Sequence, residues 1–290
     1  MISSVSAHAS LPSDFQESYI AIANQLADAA GLVTSRYFRS PFDVETKSDD
    51  SPVTIADRES EMAMRSLLSQ VVPDHGVFGE EFGVQRGSGL YTWVIDPVDG
   101  TKSFITGKPL FGTLIALLHD GVPVLGIIDQ PILKERWLGV TGRPSTLNGK
   151  PIRTRPCKDP KLAFLYATTP HMFSGTTEQS FNRVRDAVRI PMYGCDCYAY
   201  GLLAAGLCDL VVEADLKPYD YMALVPIIKG AGGAITDWQG QELVWRPSDE
   251  DPSKEAQAKG WPGEVCAAGD VDLHQTVIKM LDWRPSKISH

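Results

Sequence analysis

Apolar side chains near the start of the chain recur every three or four residues, which is the period of an amphipathic helix. The tetrapeptide Ser13–Gln16 has the composition of a capping box, so we predict that this helix begins there and ends near Phe38. The polar residues 45–54 then predict a loop. A second amphipathic stretch predicts a helix over Ile55–Val71, which Pro73 ends. The apolar positions of the first helix are Phe15, Tyr19, Ile22, Leu26, Ala30 and Val33.

Short apolar runs after the second helix predict β-strands, namely YTWVI, TLIALL, VLGII and RWLGV. Beyond about residue 155 the pattern changes to an alternation of strands and helices. Strands are predicted in AFLYAT, DLVVEA, AITDW and VCAAG, and helices near 177–188, in YAYGLLAAGL, in YMALVPIIKG and over 272–281. We therefore predict an α+β N-terminal half (1–150) with an antiparallel sheet and an α/β C-terminal half (151–290).

Composition and charge narrow the range of partners. The formal net charge is −9, and an acidic chain lacks the basic surface that nucleic-acid binding needs. The five cysteines form no C-x-x-C pair, which argues against a disulfide framework and favours a reducing compartment. No apolar run has the length of a membrane span, so we expect neither nucleic acid nor membrane as partner. The Ser-rich residues 1–13 resemble a transit-peptide remnant, although a disordered terminus explains them more simply.

Carboxylates are concentrated in the motif WVIDPVDGT, residues 93–101. Asp96 follows a β-like apolar run, and Pro97 withdraws an N–H group from the strand, so we expect the strand to end in a turn. The turn brings Asp96, the Val98 carbonyl and Asp99 to one side. All three offer oxygen atoms, the ligands that hard cations such as Mg²⁺ prefer.

The end of the motif is suited to binding phosphate. Gly100 permits close approach of the backbone, and a helix that begins near Thr101 has free N–H groups for an anion. An Asp-Pro turn with solvated acids explains the motif equally well when it is taken alone.

Further acids stand at the ends of other predicted elements. Glu80 and Glu81 follow a β-like run, Asp57 lies in the first turn of the second helix, and Asp220 lies at a later helix start. Each has an ordinary structural explanation, as a solvated pair, a helix-dipole residue or an N-cap. Their presence together with the D-x-x-D-G-T sequence favours a shared metal site.

The motifs SPVTIAD, GEE, WVIDPVDGT and YD-x₉-GAGG, in this order and spacing, resemble those of the inositol monophosphatase superfamily of Mg²⁺-dependent phosphomonoesterases. The resemblance covers residues 15–282. GIIDQPILKERWLG, TTPHMF and GCDCYAYGLLAAG are similar to segments of its histidinol-phosphate phosphatases, especially the plant type. The resemblance implies a layered αβαβα sandwich, a homodimer, and a plastid location for the plant type or otherwise a cytoplasmic one.

The resemblance also implies roles for individual residues around two or three Mg²⁺ ions. Glu80, Asp96 and the Val98 carbonyl correspond to ligands of the first ion, and Glu80 also reaches a third. The second ion corresponds to Asp96, Asp99 and Asp220. Thr101 and Asp57, with Glu80, correspond to the catalytic group that orients and activates water. The residues expected at the substrate are Asp99, Gly100, Thr101, Asp196, Glu213 and Asp220. Tyr219 stands where the family usually has Trp, which we interpret as a change in packing.

The implied reaction is hydrolysis of L-histidinol phosphate to L-histidinol and phosphate. Glu213 corresponds to a contact with the leaving alcohol, and Asp196 would add a second carboxylate suited to a cationic leaving group. The alternative for Asp196 is a solvated loop acid. Inositol phosphate and nucleotide 3′-phosphates are the alternative substrates.

Other interpretations of these residues fit the sequence less well. The aspartyl-nucleophile phosphatases of the haloacid dehalogenase type have one residue between the acids of D-x-D-G-T, whereas this chain has two. A binding protein without activity would not need the pair of Thr101 and Asp57. We expect a structural role for Asp129, a loop hydrogen bond for His171, and a helix C-cap rather than a phosphate loop at GAGG (230–233).

Overall fold

The computed structural model describes residues 10–41, 44–46, 52–246 and 263–284. Most of the Ser-rich start and of the polar loop predicted from the Pro-, Asp- and Lys-rich residues 246–262 lies outside these ranges. In the described part of the chain, no helix has the length and apolar character needed to cross a membrane. All five cysteines are free thiols.

Two helices open the fold, α1 (Ser18–Tyr37) and α2 (Ile55–Val71). The bounds predicted for α2 are confirmed, but the predicted capping box at Ser13 is wrong. A turn closed by the Phe15 amide and the Pro12 carbonyl (3.0 Å) precedes α1, and the helix has no side-chain cap. The predicted loop 45–54 is also partly wrong, since strands β1 (Val44–Thr46) and β2 (Pro52–Thr54) pair antiparallel there.

An eight-stranded sheet follows, in the order β10-β9-β8-β7-β6-β5-β3-β4. Its strands are β3 (Gly76–Gly79), β4 (Gly83–Gln85), β5 (Tyr91–Asp99), β6 (Gly112–His119), β7 (Val122–Gln130), β8 (Glu135–Val140), β9 (Thr146–Leu147) and β10 (Lys150–Pro151). Neighbouring strands are antiparallel except β3 and β5.

The turn predicted at Pro97 does not end β5. The strand continues to Asp99 through an irregularity in its pairing with β6 between Asp96 and Asp99. A strand tolerates proline at a bulge, because no ladder hydrogen bond is needed there. The Pro97 carbonyl instead accepts a hydrogen bond from the Thr113 hydroxyl (2.9 Å).

The second half of the chain forms a five-stranded sheet in the order β12-β11-β13-β15-β14. Its strands are β11 (Phe164–Ala167), β12 (Ile190–Tyr193), β13 (Leu210–Glu213), β14 (Ala234–Asp237) and β15 (Val265–Ala268). The remaining helices are α3 (Thr101–Ile105), α4 (Gly175–Arg185), α5 (Asp196–Ala204), α6 (Pro218–Tyr221), α7 (Leu224–Gly230) and α8 (Val271–Leu281), with 3₁₀ turns at Pro160–Leu162 and Pro170–Met172. Strands β12, β11 and β13 are parallel, and the other pairs are antiparallel.

The elements stack in five layers, which confirms the predicted αβαβα sandwich. Helices α1 and α2 cover one face of the large sheet, and α5 and α7 lie between the two sheets. Helices α4 and α8 cover the outer face of the small sheet. The central core contains side chains from both halves of the chain, and the division near residue 150 stays a prediction.

Two glycines allow the middle helices to lie directly on the large sheet. A Cβ atom at Gly126 in β7 would overlap the carbonyl oxygen of Ala223, and one at Gly139 in β8 would overlap the backbone of Ile227. This close approach sets the position of α6, which immediately precedes Ala223 and α7.

We predict that Gly126→Ala destabilises the protein by about 1–3 kcal/mol, because the added methyl group overpacks the sheet–helix contact. Urea unfolding followed by circular dichroism measures the change. Gly89→Ala is the matched control, since a Cβ there would meet only the Asp74 carbonyl oxygen at 3.9 Å. Equal midpoints for Gly126→Ala and wild type would contradict the packing role.

Candidate functional site

Three of the predicted metal ligands form an acidic cluster. Asp96 and Asp99 lie in the last part of β5, and Asp220 lies in α6. One carboxylate oxygen from each falls within 4.8 Å of the other two. Asp96 is 2% exposed, and the other two are half-buried. The fold therefore gathers acids that are far apart in sequence.

Burial and mutual repulsion disfavour the charged forms of these acids. Burial raises the pKa of Asp96 well above its usual range, and the charge of Glu80 adds to the effect. Burial, with the charge of Glu80, raises the pKa of Asp220 to about 8. The pKa of Asp99 is raised by burial and by Asp196. A site built only of oxygen donors with this excess of negative charge fits a hard divalent cation.

Backbone amides fix the orientation of each carboxylate in the cluster. The Val98 amide donates to Asp96 Oδ1 (2.9 Å), and the Lys217 amide donates to Asp220 Oδ2 (2.7 Å). Asp99 Oδ2 accepts from the amide of Cys197 in the first turn of α5 (2.5 Å). Asp220 is thus not the N-cap of α6 but its third residue, and it both accepts from the amide of the N-cap Lys217 and faces the cluster.

Glu80 follows β3 and lies beside the cluster, since its charge acts on both Asp96 and Asp220. Its amide donates to the Ile95 carbonyl oxygen of β5 (3.3 Å). The next amide, that of Glu81, donates to the buried carboxylate of Glu61 (2.7 Å). The two adjacent acids of GEEF therefore belong to a turn that is bound to the site rather than to a solvated loop.

Asp57 and Thr101 face each other at the start of two helices. Gly100 adopts a left-handed conformation (φ 86°), and α3 begins directly after it. The Thr101 hydroxyl lies 3.5 Å from Asp57 Oδ1 and 3.1 Å from the Val98 carbonyl oxygen. Asp57 Oδ2 also accepts from the Thr54 amide (2.8 Å), so this acid caps α2 and still presents an oxygen to Thr101.

Asp196 packs against the predicted phosphate position. A Cβ at Gly100 would lie 2.9 Å from Asp196 Oδ2, and the Ser103 hydroxyl donates to that oxygen at 3.3 Å. The interpretation of Asp196 as a solvated loop acid is therefore wrong. Asp196 (φ 45°) and the preceding Cys195 (φ 81°) both adopt left-handed conformations.

Glu213 is the second predicted recognition acid and is 3% exposed. Its oxygens accept hydrogen bonds from the Thr168 amide (2.7 Å) and the Tyr200 hydroxyl (2.9 Å). Burial raises its pKa to about 7. Because each oxygen already has a partner within the protein, contact with a leaving alcohol stays a prediction.

Asp129 and the GAGG segment have the structural roles predicted for them, and the hydrogen bond expected of His171 stays a prediction. Asp129 Oδ1 accepts from Arg136 Nε (2.6 Å), and Arg136 also binds Asp28 of α1 (2.7 Å). His171 is exposed in a 3₁₀ turn. The GAGG segment ends α7, with the Gly233 amide bound to the Ile228 carbonyl oxygen (3.0 Å). Tyr219 packs edge-on against Phe78, with ring centroids 5.6 Å apart.

The residues that support the site are not predicted by the sequence motifs. The turn of Glu80 is bound by Glu61. Asp196 accepts a hydrogen bond from Ser103, and the Pro97 carbonyl accepts one from Thr113. For Glu61 a signal was available, because it follows Asp57 by one helical turn and so shares its face of α2. Ser103 and Thr113 are ordinary residues of a helix and a strand, and their sequence positions give no such signal.

Comparison with known proteins agrees with this geometry. The chain matches the model of the inositol monophosphatase family over residues 16–265. It is 54% identical over 267 residues to the chloroplastic bifunctional phosphatase IMPL2 of Arabidopsis thaliana, which covers 91% of this chain and 75% of that protein. It is 35% identical over 226 residues to a histidinol-phosphatase of Chlorobaculum parvum, covering 77% and 87% of the two chains.

Solved structures show the same architecture. An inositol monophosphatase from Zymomonas mobilis superimposes with a TM-score of 0.79 at 45% identity, over 92% of this chain and 98% of that one. The family model spans more than half of the chain, and it includes the acidic cluster, the Glu80 turn and the pair of Asp57 and Thr101. The chain belongs to the inositol monophosphatase family.

Proposed function

We propose that this chain is a Mg²⁺-dependent phosphomonoesterase that hydrolyses L-histidinol phosphate to L-histidinol and phosphate. The observation that carries the proposal is the acidic cluster of Asp96, Asp99 and Asp220 beside Gly100 and Asp196. A buried set of acids with raised pKa values is costly unless a cation binds there, and the family is one of phosphatases.

Within this proposal, the groups that would hold two or three Mg²⁺ ions are Glu80, Asp96, Asp99, Asp220 and the carbonyl of Val98. When bound, Mg²⁺ lowers the pKa of water and neutralises the phosphoryl oxygens and the leaving alkoxide. Asp96, which is 2% exposed, would be one of these ligands.

The remaining chemistry falls to side chains and amides of this chain. The Thr101 hydroxyl orients the attacking water: the water gives a proton to Thr101 Oγ1 as the hydroxyl proton passes to Asp57 Oδ1, 3.5 Å away, so Thr101 remains a hydroxyl. Asp57 is suited to this because Thr54 already fixes its other oxygen. Helix geometry leaves the amides of Gly100 and Thr101, at the start of α3, without an acceptor within the helix, so both can bind phosphate oxygens.

Two observations support histidinol phosphate as the substrate. Relatives that are 35% identical to this chain are named histidinol-phosphatases. In addition, Asp196 places a carboxylate against Gly100, where the amine of a cationic leaving group can form a charge-assisted hydrogen bond. Inositol 1-phosphate is the second candidate, because the 45% identical structure is that of an inositol monophosphatase. Nucleotide 3′-phosphates remain the third.

We further propose a homodimer and a plastid location. Support for the location comes from the 54% identical chloroplastic relative. The homodimer comes from the sequence resemblance alone, and light scattering of the purified protein tests it.

With a panel of phosphate esters, we predict that kcat/KM is at least roughly tenfold higher for histidinol phosphate than for inositol 1-phosphate, since one charge-assisted hydrogen bond contributes about 1.5–3 kcal/mol. Phosphate release at saturating Mg²⁺ measures kcat/KM for each ester, and a nucleotide 3′-phosphate is the third substrate. A preference for inositol 1-phosphate would overturn the substrate assignment and leave the phosphatase assignment intact.

We predict that Asp196→Asn lowers kcat/KM for histidinol phosphate by roughly 10- to 100-fold, mainly through KM, because the amide no longer attracts the substrate amine. Hydrolysis of inositol 1-phosphate should change much less. Asp186→Asn, at an exposed acid paired with Arg185, is the control. An unchanged KM for histidinol phosphate in Asp196→Asn would exclude this residue from recognition.

Metal-free protein should lose stability as the pH rises from about 4 to about 8. The pKa values of Asp96, Asp99 and Asp220 are higher in the folded state than in the unfolded chain. Their protonated forms therefore favour folding below the unfolded pKa, and this contribution disappears as the pH passes the folded pKa.

Mg²⁺ should counteract that loss, because its ligands bind it only when deprotonated. Differential scanning fluorimetry in EDTA and in Mg²⁺ measures the melting temperature at each pH. We predict a larger increase with Mg²⁺ near pH 8 than near pH 5, and a weaker pH dependence in metal-free Asp220→Asn. A Mg²⁺ effect of the same size at both values would contradict binding by these carboxylates.

A further inference from the structure

We propose that Glu61 is a positioning residue that holds the Glu80 carboxylate in place at the acidic cluster. The inference rests on the metal-dependent function proposed above. Glu61 lies in α2, is 0% exposed, and touches neither the cluster nor the predicted phosphate position in any contact described here. Its partners are instead the residues that follow Glu80.

The Glu61 carboxylate accepts hydrogen bonds from backbone amides of the turn between β3 and β4. Oε2 accepts from the Glu81 amide (2.7 Å), and Oε1 accepts from the Phe82 amide (3.2 Å). Arg65, one helical turn later, donates Nε to Oε1 (2.8 Å) and also binds the Gly83 carbonyl oxygen (2.5 Å). Because these amides directly follow Glu80, the position of its backbone depends on that of Glu61.

The strand on the other side of Glu80 is fitted to the same carboxylate. A Cβ at Gly79 would overlap the Glu61 carboxylate. The backbone can therefore lie against this carboxylate only because residue 79 is glycine. Glu80 is thus flanked on both sides by contacts with Glu61. Gly79 before it packs on the Glu61 carboxylate, and the two amides after it donate to that carboxylate. A buried carboxylate is tolerated only when such donors satisfy it, and displacing the turn would leave Glu61 Oε2 without its amide donor.

Helix α2 connects this turn to the other side of the site. Asp57 and Glu61 are one turn apart and both are buried, at 1% and 0% exposure. Asp57 faces Thr101, whereas Glu61 binds the turn of Glu80. One rigid helix therefore sets the distance between the water-orienting pair and Glu80. A residue that only stabilised the turn would not need to share a helix with Asp57.

The test is the affinity of the purified protein for Mg²⁺ alone, measured by isothermal titration calorimetry on Glu61→Gln. The NH₂ group of the new glutamine would face a backbone amide or the Arg65 guanidinium, which are themselves donors. One hydrogen bond to the turn is therefore lost, while the size of the side chain is kept. We expect the Kd for Mg²⁺ to rise by roughly 10- to 100-fold, the usual effect of removing a group that orients a ligand. KM for histidinol phosphate at saturating Mg²⁺ should change much less.

Two further variants make the test independent of the folding of Glu61→Gln. Gly79→Ala displaces the same carboxylate without altering it, and Arg65→Met removes one donor and leaves both amide bonds. Both should raise the Kd for Mg²⁺. Glu59→Gln, on the same helix but bonded to Tyr37, is the control and should leave the Kd unchanged.

A lower melting temperature with an unchanged Kd for Mg²⁺ in these variants would overturn the inference, because Glu61 would then only stabilise the fold. The proposed function fails in a different way. Wild-type protein that binds no Mg²⁺ or releases no phosphate from any ester would overturn that function, and the inference with it.

Discussion

Repulsion among buried carboxylates is the constraint on which this structure depends. Asp96, Asp99 and Asp220 bring oxygens within 4.8 Å of one another in surroundings that raise all three pKa values. Left alone, such acids would separate or take up protons. The protein holds them together with one backbone amide on each, drawn from β5, α5 and the start of α6. Repulsion between the carboxylates therefore destabilises their charged forms, and a bound divalent cation would offset this repulsion.

The five layers of the sandwich are what make this arrangement rigid. Asp220 reaches the end of β5 only because α7 lies directly on the large sheet, which Gly126 and Gly139 permit. On the opposite face, α2 supplies Asp57 and Glu61 from a single helix. Two independent helical layers thus fix the acids from both sides of the large sheet, and neither layer alone sets the geometry.

Much of the fold and the site could be predicted because the signals are local. The bounds of α2 follow from its periodicity and from Pro73 after its end, and the D-x-x-D-G-T motif is continuous in sequence. The predictions that were wrong depended on tertiary context. A turn before α1 replaced the capping box at Ser13, and β5 continued past Pro97 through a bulge. Glu61 and the Cys197 amide act across long sequence separations, so no single stretch of sequence indicates their contacts.

Under the proposed function, Asp196 is the residue that would adapt the site to a particular substrate. Its carboxylate lies against Gly100, next to the place where a phosphate anion is expected, and this position is unfavourable unless positive charge lies nearby. Lys102 and Lys108 supply part of that charge, since both lower the pKa of Asp196 against the larger effect of burial. A leaving group that carries an ammonium would supply the rest. A neutral polyol would leave the acid beside the phosphate with only its bonds from Ser103 and Thr168, so the proposed substrate with a cationic alcohol fits this position better.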